Sequence, residues 1–224
     1  LRKQALSSLG THLCLRFLWG MARDRNTARK TIINSDGGNA VMKALALHPG
    51  DEDIVNAACG LMYRINQNKD VLKTMAQANP IPVLYAIGDL HEGNPEMQIV
   101  ICLALSSALH SSTDKNELVK NAIDVGTRCC KILKKYLNTS PAAIQAALCC
   151  LSQVFLHLPM TKGNLTVTES WQVGKNAFIT NDVIPLLFDA IDPQDAGVRP
   201  SIYFFNFKFF TNFFNFVSIN DMYH

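Results

Sequence analysis

The chain has 224 residues, of which 48% are hydrophobic and 17% charged, a composition that can bury a core and excludes a disordered chain. Its formal net charge of +3 is too small to indicate nucleic-acid binding by itself. Seven cysteines, none in a C-x-x-C pair, favour free thiols in a reducing compartment over a disulfide framework. We therefore expect an intracellular protein, located in the cytoplasm.

The N-terminal segment, residues 1–37, has the apolar pattern of two helices within residues 4–35. Asn26 is a candidate N-cap for the second of these helices. Gly37-Gly38 is expected to end the segment, because glycine reverses the chain at little steric cost. We interpret the segment as a partial repeat, formed by the last two helices of a unit.

Residues 38–80 form a complete unit that begins with a first helix over 40–47. Pro49 and Gly50 end that helix, because proline cannot continue its hydrogen-bond ladder. Asp51 then opens a second helix, since a side-chain oxygen and a negative charge stabilise a helix N-terminus. This second helix carries one apolar stripe at helical spacing: Ile54, Val55, Ala58, Leu61, Met62 and Ile65.

A third helix completes this unit, and the next unit repeats the order. Asn68 is the candidate N-cap of the third helix, and Pro80 closes the unit. The next unit, 81–125, has predicted helices over 83–90 and 97–109, followed by a third helix that Asn116 caps.

The remaining units are less regular. The unit 126–182 has predicted helices over 127–137 and 142–156 and a polar insertion at 159–168, which we expect to be a surface loop. A partial unit at 183–199 starts with another first-helix pattern.

The spacing of proline-containing turns predicts a repeat protein. Pro49, Pro95, Pro141 and Pro193 are separated by 46, 46 and 52 residues. Alignment of Leu61 with Leu105, an offset of 44, also superposes the apolar stripes of two second helices. A period of this size indicates stacked helical repeats, and such solenoids commonly present binding surfaces.

The junctions and second helices of these units resemble those of armadillo repeats. Residues 36–41, 79–84, 125–126 and 181–186 are similar to the A-G-x-I-P-x-L junction of that family, and residues 57–61 and 146–151 to its A-A-x-A-L core. The resemblance covers residues 4–199. It implies an all-α, right-handed α-solenoid (superhelix) of armadillo-like three-helix repeats. The length of the repeat also fits HEAT repeats, but the predicted third helix and the junction sequences favour armadillo repeats.

The resemblance also implies a non-catalytic scaffold that binds a partner peptide or protein along a concave groove of third helices. Lys30, Lys73 and Lys120 lie four or five residues beyond the candidate caps of those helices, so they are candidates for a ladder that holds an acidic peptide. Arg23, Arg25, Arg29 and Lys30 form a denser basic patch. The alternative interpretation is that these charges mark solvated helix faces.

Two other functions fit the same architecture less well. An importin-type transport adaptor needs a ladder of tryptophans and asparagines. The expected positions instead hold Leu13, Cys59, Leu103, Cys149, Phe17, Tyr63, Ser107 and Gln153. A regulatory arm of a larger catalytic protein is the second alternative.

Catalysis has little support in the sequence. A Cys–His pair of His157 with the cysteines at 149–150 is conceivable, but no third orienting group can be assigned. No phosphate-binding glycine loop and no metal-spaced cluster is present in the sequence. We therefore expect no enzyme activity, no cofactor, no small-molecule substrate and no nucleic-acid partner.

The C-terminal segment, residues 200–224, breaks every pattern above. Residues 203–216 hold eight of the twelve phenylalanines of the chain, interrupted by Asn206, Lys208, Asn212 and Asn215. We interpret this tail as non-native or disordered, with translated non-coding or frame-shifted sequence after Arg199 as the preferred explanation. A membrane-contacting segment is the alternative, and otherwise we expect no membrane association.

Overall fold

The structure is a computed structural model that describes residues 7–23, 26–66, 79–109 and 115–157. These residues are all-α, as predicted: they form eight helices and no strand. The helices are α1 Ser8–Ala22, α2 Asn26–Asn34, α3 Gly37–Leu47, α4 Glu52–Ile65, α5 Pro80–Leu90, α6 Pro95–Leu109, α7 Lys115–Tyr136 and α8 Pro141–His157. The chain divides into two compact units, Leu1–Thr113 and Asp114–His224. Helices α1–α6 belong to the first unit, and α7 and α8 to the second.

Four of the described helices begin at a polar side chain that caps the first turn. The capping residues of α1, α4, α6 and α8 are Ser7, Asp51, Asn94 and Ser140. Each side-chain oxygen accepts from the backbone N–H three residues later, at 3.2, 3.2, 3.2 and 3.3 Å. These bonds satisfy N–H groups that the helix itself leaves without a partner. The predicted starts of α4, α6 and α8 are therefore confirmed to within two residues.

The first helices of the two middle units begin at a left-handed residue, which the sequence analysis did not predict. Asp36 has φ 62° and Asn79 has φ 38°, and each directly precedes a helix. Pro80 was expected to close a unit, but it begins α5, because proline fits the first helical turn. Gly37 was expected to end the preceding segment, but it begins α3. A Cβ there would collide with the Ile32 carbonyl, so glycine permits the close approach of α2 and α3.

Structural landmarks in the first unit recur every 43 residues. Asp36 and Asn79 start the first helices, Leu47 and Leu90 end them, and Asp51 and Asn94 cap the second helices (79 − 36, 90 − 47 and 94 − 51). The predicted proline period of 46 is therefore three residues longer than the structural period. The reason is that Pro49 lies two residues before its cap, whereas Pro95 lies one residue after its cap.

Helices with the same position in the repeat contact each other within the first unit. α4 packs between α1 and α6, and α3 contacts α5. Each first helix also packs on its own second helix, α3 on α4 and α5 on α6. The core consists of side chains such as Leu45, Leu61, Leu84 and Leu105, all fully buried. Gly60 lets α1 approach α4, because the Trp19 ring lies against the position of its missing Cβ, at 2.6 Å.

The second unit contains one long helix where two were predicted. α7 runs without interruption from Lys115 to Tyr136, so the predicted end of one helix and start of another near Gly126 is wrong. A single glycine costs a helix only about 1 kcal/mol relative to alanine, and no proline follows to stop the ladder. α8 packs on α7, and the fully buried Leu133 and Leu151 lie in their core.

Several predicted elements lie outside the described residues. They are the third helix after Asn68, the insertion at 159–168, the partial unit at 183–199 and the tail at 200–224, so the proposed unit boundaries stay predictions. Within the described part of the chain, no helix combines the length and the apolar character that a membrane span needs.

Candidate protein-binding surface

A polar junction joins the starts of α1 and α4. The Ser8 hydroxyl, at the first position of α1, donates to Asp51 Oδ2, which belongs to the N-cap of α4. The partners are 43 residues apart. The bond therefore ties the beginning of one second helix to the beginning of the next.

The same junction recurs between α4 and α6. Asn94 Nδ2, on the N-cap of α6, donates to Glu52 Oε1, at the first position of α4, over 3.0 Å. His91 adds a second contact, because its Nε2 donates to the Pro49 carbonyl oxygen over 2.8 Å. The His91 ring is buried, and its Nδ1 lies 3.7 Å from Glu52 Oε1. The His91 side chain thus joins two turns, a role that no motif in the sequence indicates.

The junction changes the ionisation of Asp51. Hydrogen bonds from Ser8 and from the backbone N–H of Ile54 stabilise the carboxylate, and they lower the pKa of Asp51 below its usual value. The charge also lies at the N-terminus of α4, where the helix dipole favours an anion. Asp51 therefore serves both as a helix cap and as an inter-helix acceptor.

The predicted basic patch surrounds the end of α1. Arg29 donates from Nε to the Ala22 carbonyl oxygen over 2.6 Å and from Nη2 to the Arg23 carbonyl oxygen over 2.8 Å. These bonds satisfy C-terminal carbonyls that α1 leaves without helical partners. Arg29 thus has a structural role, and its role in partner binding stays a prediction. Arg23 is exposed at this helix end, and Arg25 lies outside the described residues.

The structure places two of the three predicted ladder lysines. Lys30 is exposed on α2 in the first unit, and Lys120 is exposed on α7 in the second unit. Lys73 lies outside the described residues. The ladder and its acidic peptide therefore stay predictions, as does the alternative that these lysines mark solvated faces.

Two of the buried cysteines, Cys59 and Cys130, are poor nucleophiles. Burial raises the pKa of the Cys59 thiol to about 12 and that of Cys130 to about 12, so little thiolate forms near neutral pH. Among the residues that the structure describes, no group of three or more His, Cys, Asp or Glu side chains can hold a metal ion. The His157 side chain lies outside the description, so the conceivable Cys–His pair stays a hypothesis.

Comparison with known proteins finds no match: no family model, no curated protein and no solved structure matches the chain.

Proposed function

We propose that the chain is a non-catalytic protein–protein interaction scaffold built from armadillo-like three-helix repeats in a right-handed superhelix. It binds a partner peptide or protein along the groove of its third helices, without a cofactor and without nucleic acid. Lys30, Lys73 and Lys120 are the proposed contacts to acidic groups of the partner, next to the basic patch of Arg23, Arg25 and Arg29. The compartment is the cytoplasm.

The recurring junction between second helices is the observation that carries this proposal. Ser8 binds Asp51 and Glu52 binds Asn94, so the first residue of one second helix contacts the cap of the next in both cases. A bond that recurs at a separation of 42 or 43 residues is expected when equivalent units stack in sequence. Stacked units build an extended open surface, which is typical of proteins that bind other proteins. Small-molecule sites, in contrast, are commonly enclosed clefts or cavities.

The chemistry of the thiols also supports a non-catalytic function. A nucleophilic cysteine needs an environment that lowers its pKa, whereas burial raises that of Cys59 and Cys130. Such thiols act as small apolar core residues.

Affinity capture with the full chain tests the proposal. The test variant combines Lys30→Glu, Lys73→Glu and Lys120→Glu, and the matched control combines Lys43→Glu, Lys134→Glu and Lys135→Glu. The control lysines are exposed and change the net charge by the same amount. We expect a partner that binds the parent and the control but is weakened about tenfold or more by the test variant, with affinity falling as salt rises.

Circular dichroism checks that both variants stay helical. Equal capture of the same partners by the parent, the test variant and the control would contradict the lysine ladder. Turnover of a substrate by the purified chain would contradict the non-catalytic assignment.

A further inference from the structure

Four large apolar side chains form an exposed stripe along α1. Leu9, Leu13, Phe17 and Met21 follow at four-residue spacing, so they share one face of the helix. Their exposed fractions are 66%, 58%, 68% and 43%. Single exposed apolar residues are ordinary, whereas a contiguous group marks an interaction surface. These four residues are the α1 stripe.

The C-terminal half of the α1 stripe borders a groove between α1 and α2. The groove has a volume of about 660 Å³, and its lining includes Phe17 and Met21 from α1 and Ala28 and Thr31 from α2. Gly20 also lines it, and a Cβ there would meet no atom within 4 Å. An open groove with largely apolar walls between two helices is the shape that receives the apolar face of another helix.

The corresponding face of α4 identifies the kind of occupant. Leu13, Phe17 and Met21 are the sixth, tenth and fourteenth residues after the N-cap of α1. The same positions in α4 hold Ala57, Leu61 and Ile65, all at most 1% exposed beneath packed helices. The repeat therefore covers this face with helices where a neighbour is present, and a helix is the matching occupant on α1.

The charges around the stripe specify the flank of that helix. Neither α1 nor α2 contains Asp or Glu, whereas Arg16, Arg29 and Lys30 lie on these two helices. The Asp51 carboxylate contacts Ser8 at the N-terminal end of α1, away from the groove. The Arg16 side chain lines the groove itself. A helix with acidic residues beside its apolar face is therefore electrostatically complementary to this surface.

We propose that the α1 stripe and the adjoining groove are a docking site for an amphipathic helix of another protein, with an apolar face and an acidic flank. The site goes beyond the function proposed above, because none of the three ladder lysines belongs to the α1 stripe or lines the groove, and of the three only Lys30 adds to the positive charge on α2. Charge reversal at those lysines and removal of the apolar side chains of the α1 stripe therefore test two different surfaces.

A designed peptide tests the chemistry of the occupant. The full chain is titrated with a fluorescent 18-residue helical peptide that carries leucines on one face and glutamates on both flanks. The same peptide with lysine flanks and a scrambled peptide of equal composition are the controls. We expect the glutamate peptide to bind at least tenfold more tightly than either control, and Arg16→Glu to reduce that preference. Equal affinity for all three peptides would overturn the proposal.

Matched variants test the location. Leu13→Gln with Phe17→Gln removes the centre of the stripe. Leu47→Gln with Leu90→Gln removes two leucines that are 60% and 59% exposed at the ends of α3 and α5. All four side chains are exposed, so both variants are expected to fold, as circular dichroism verifies. We expect the Leu13→Gln, Phe17→Gln variant to bind the peptide at least tenfold more weakly than the parent, and the Leu47→Gln, Leu90→Gln variant to bind it as the parent does. Equal peptide affinity of the two double variants would overturn the location.

Cys14 provides an independent readout. It is exposed on α1 three residues before Phe17, and the glutamate peptide is expected to slow its alkylation, measured by mass spectrometry. Unchanged alkylation at saturating peptide would place the peptide elsewhere and overturn the proposal.

Sedimentation of the parent measures its oligomeric state and so tests whether a second copy of the chain occupies the site. A monomer supports the proposal, whereas a dimer that Leu13→Gln with Phe17→Gln dissociates would replace it.

Discussion

Helices α1 and α4 start in the same way and lie in different surroundings. Each begins at a cap whose side chain binds the third backbone N–H of the helix, and each carries apolar residues at equivalent positions. α4 packs between two second helices and buries eight residues, whereas α1 buries only Leu15 and Ala22. An apolar pattern therefore creates an amphipathic helix, but the neighbouring helices decide whether its apolar face becomes core or surface.

The largest expected difference between α4 and α1 is in the stability lost when the equivalent residues Leu61 and Phe17 are each truncated to alanine. Leu61→Ala leaves a cavity in a fully buried site, so it should lower the free energy of unfolding by about 2–5 kcal/mol. Phe17→Ala removes an exposed ring and should change that energy by less than about 0.5 kcal/mol. Urea denaturation of both variants measures the difference. A loss above 2 kcal/mol for Phe17→Ala would mean that the α1 stripe is covered within the chain.

The two glycines of these helices should respond to alanine with opposite signs. Gly60→Ala places a Cβ against the Trp19 ring, and the overpacking should outweigh the better helix propensity, for a net loss of about 1–2 kcal/mol. Gly20→Ala meets open space and should gain roughly 0.5–1 kcal/mol. Thermal unfolding of the two single variants distinguishes the signs. Stabilisation by both would show that α1 and α4 are less closely packed at Trp19.

The smallest expected difference is in how the stabilisation by the two N-caps, Asp51 of α4 and Ser7 of α1, depends on pH. Asp51→Ala and Ser7→Ala should each cost about 1 kcal/mol at pH 7. The pKa of Asp51 is lower in the folded state than in the unfolded state, so its charge stabilises fully above the unfolded value of about 3.9. This contribution is lost as the pH falls through the lower folded value. The cost of Asp51→Ala should therefore shrink in acid, whereas that of Ser7→Ala should not change.

Urea unfolding at pH 7 and at pH 3 measures both costs. The uncharged Ser7 cap is the control for the general effect of acid on α1. A cost of Asp51→Ala that is the same at both pH values would mean that the bond from Ser8 does not favour the carboxylate.

Local signals predicted the helices well where a cap and a proline coincide. Asp51, Pro95 and Pro141 mark the starts of α4, α6 and α8, because a cap and a proline act on the backbone within one turn. Gly126 failed as a boundary, because glycine tolerates a turn without requiring one. The proline spacing of 46 missed the period of 43 by three residues, because Pro49 and Pro95 lie on opposite sides of their caps, whereas the offset of 44 between Leu61 and Leu105 missed it by one.

The candidate surface was less predictable than the fold. The positions of Arg29 and Lys30 are visible in the sequence, but only coordinates show that the Arg29 guanidinium binds the carbonyls at the end of α1. Similarly, the spacing of Leu13 and Phe17 is that of a core stripe, and burial depends on helices that are distant in sequence. The contacts of His91 with Pro49 and Glu52 depend on the stacking of two turns, for which no short motif exists.

The recurring separation of 42 or 43 residues between bonded turns also has a kinetic consequence. The entropy lost when a flexible chain closes a loop depends on loop length only as about (3/2)RT ln n. The bond from Ser8 to Asp51 and the bond from Asn94 to Glu52 close loops of nearly equal length, so neither junction has an entropic advantage. We therefore expect the order in which the turns of the first unit assemble to follow the local stability of their helices, and folding to begin at α4, which packs between α1 and α6.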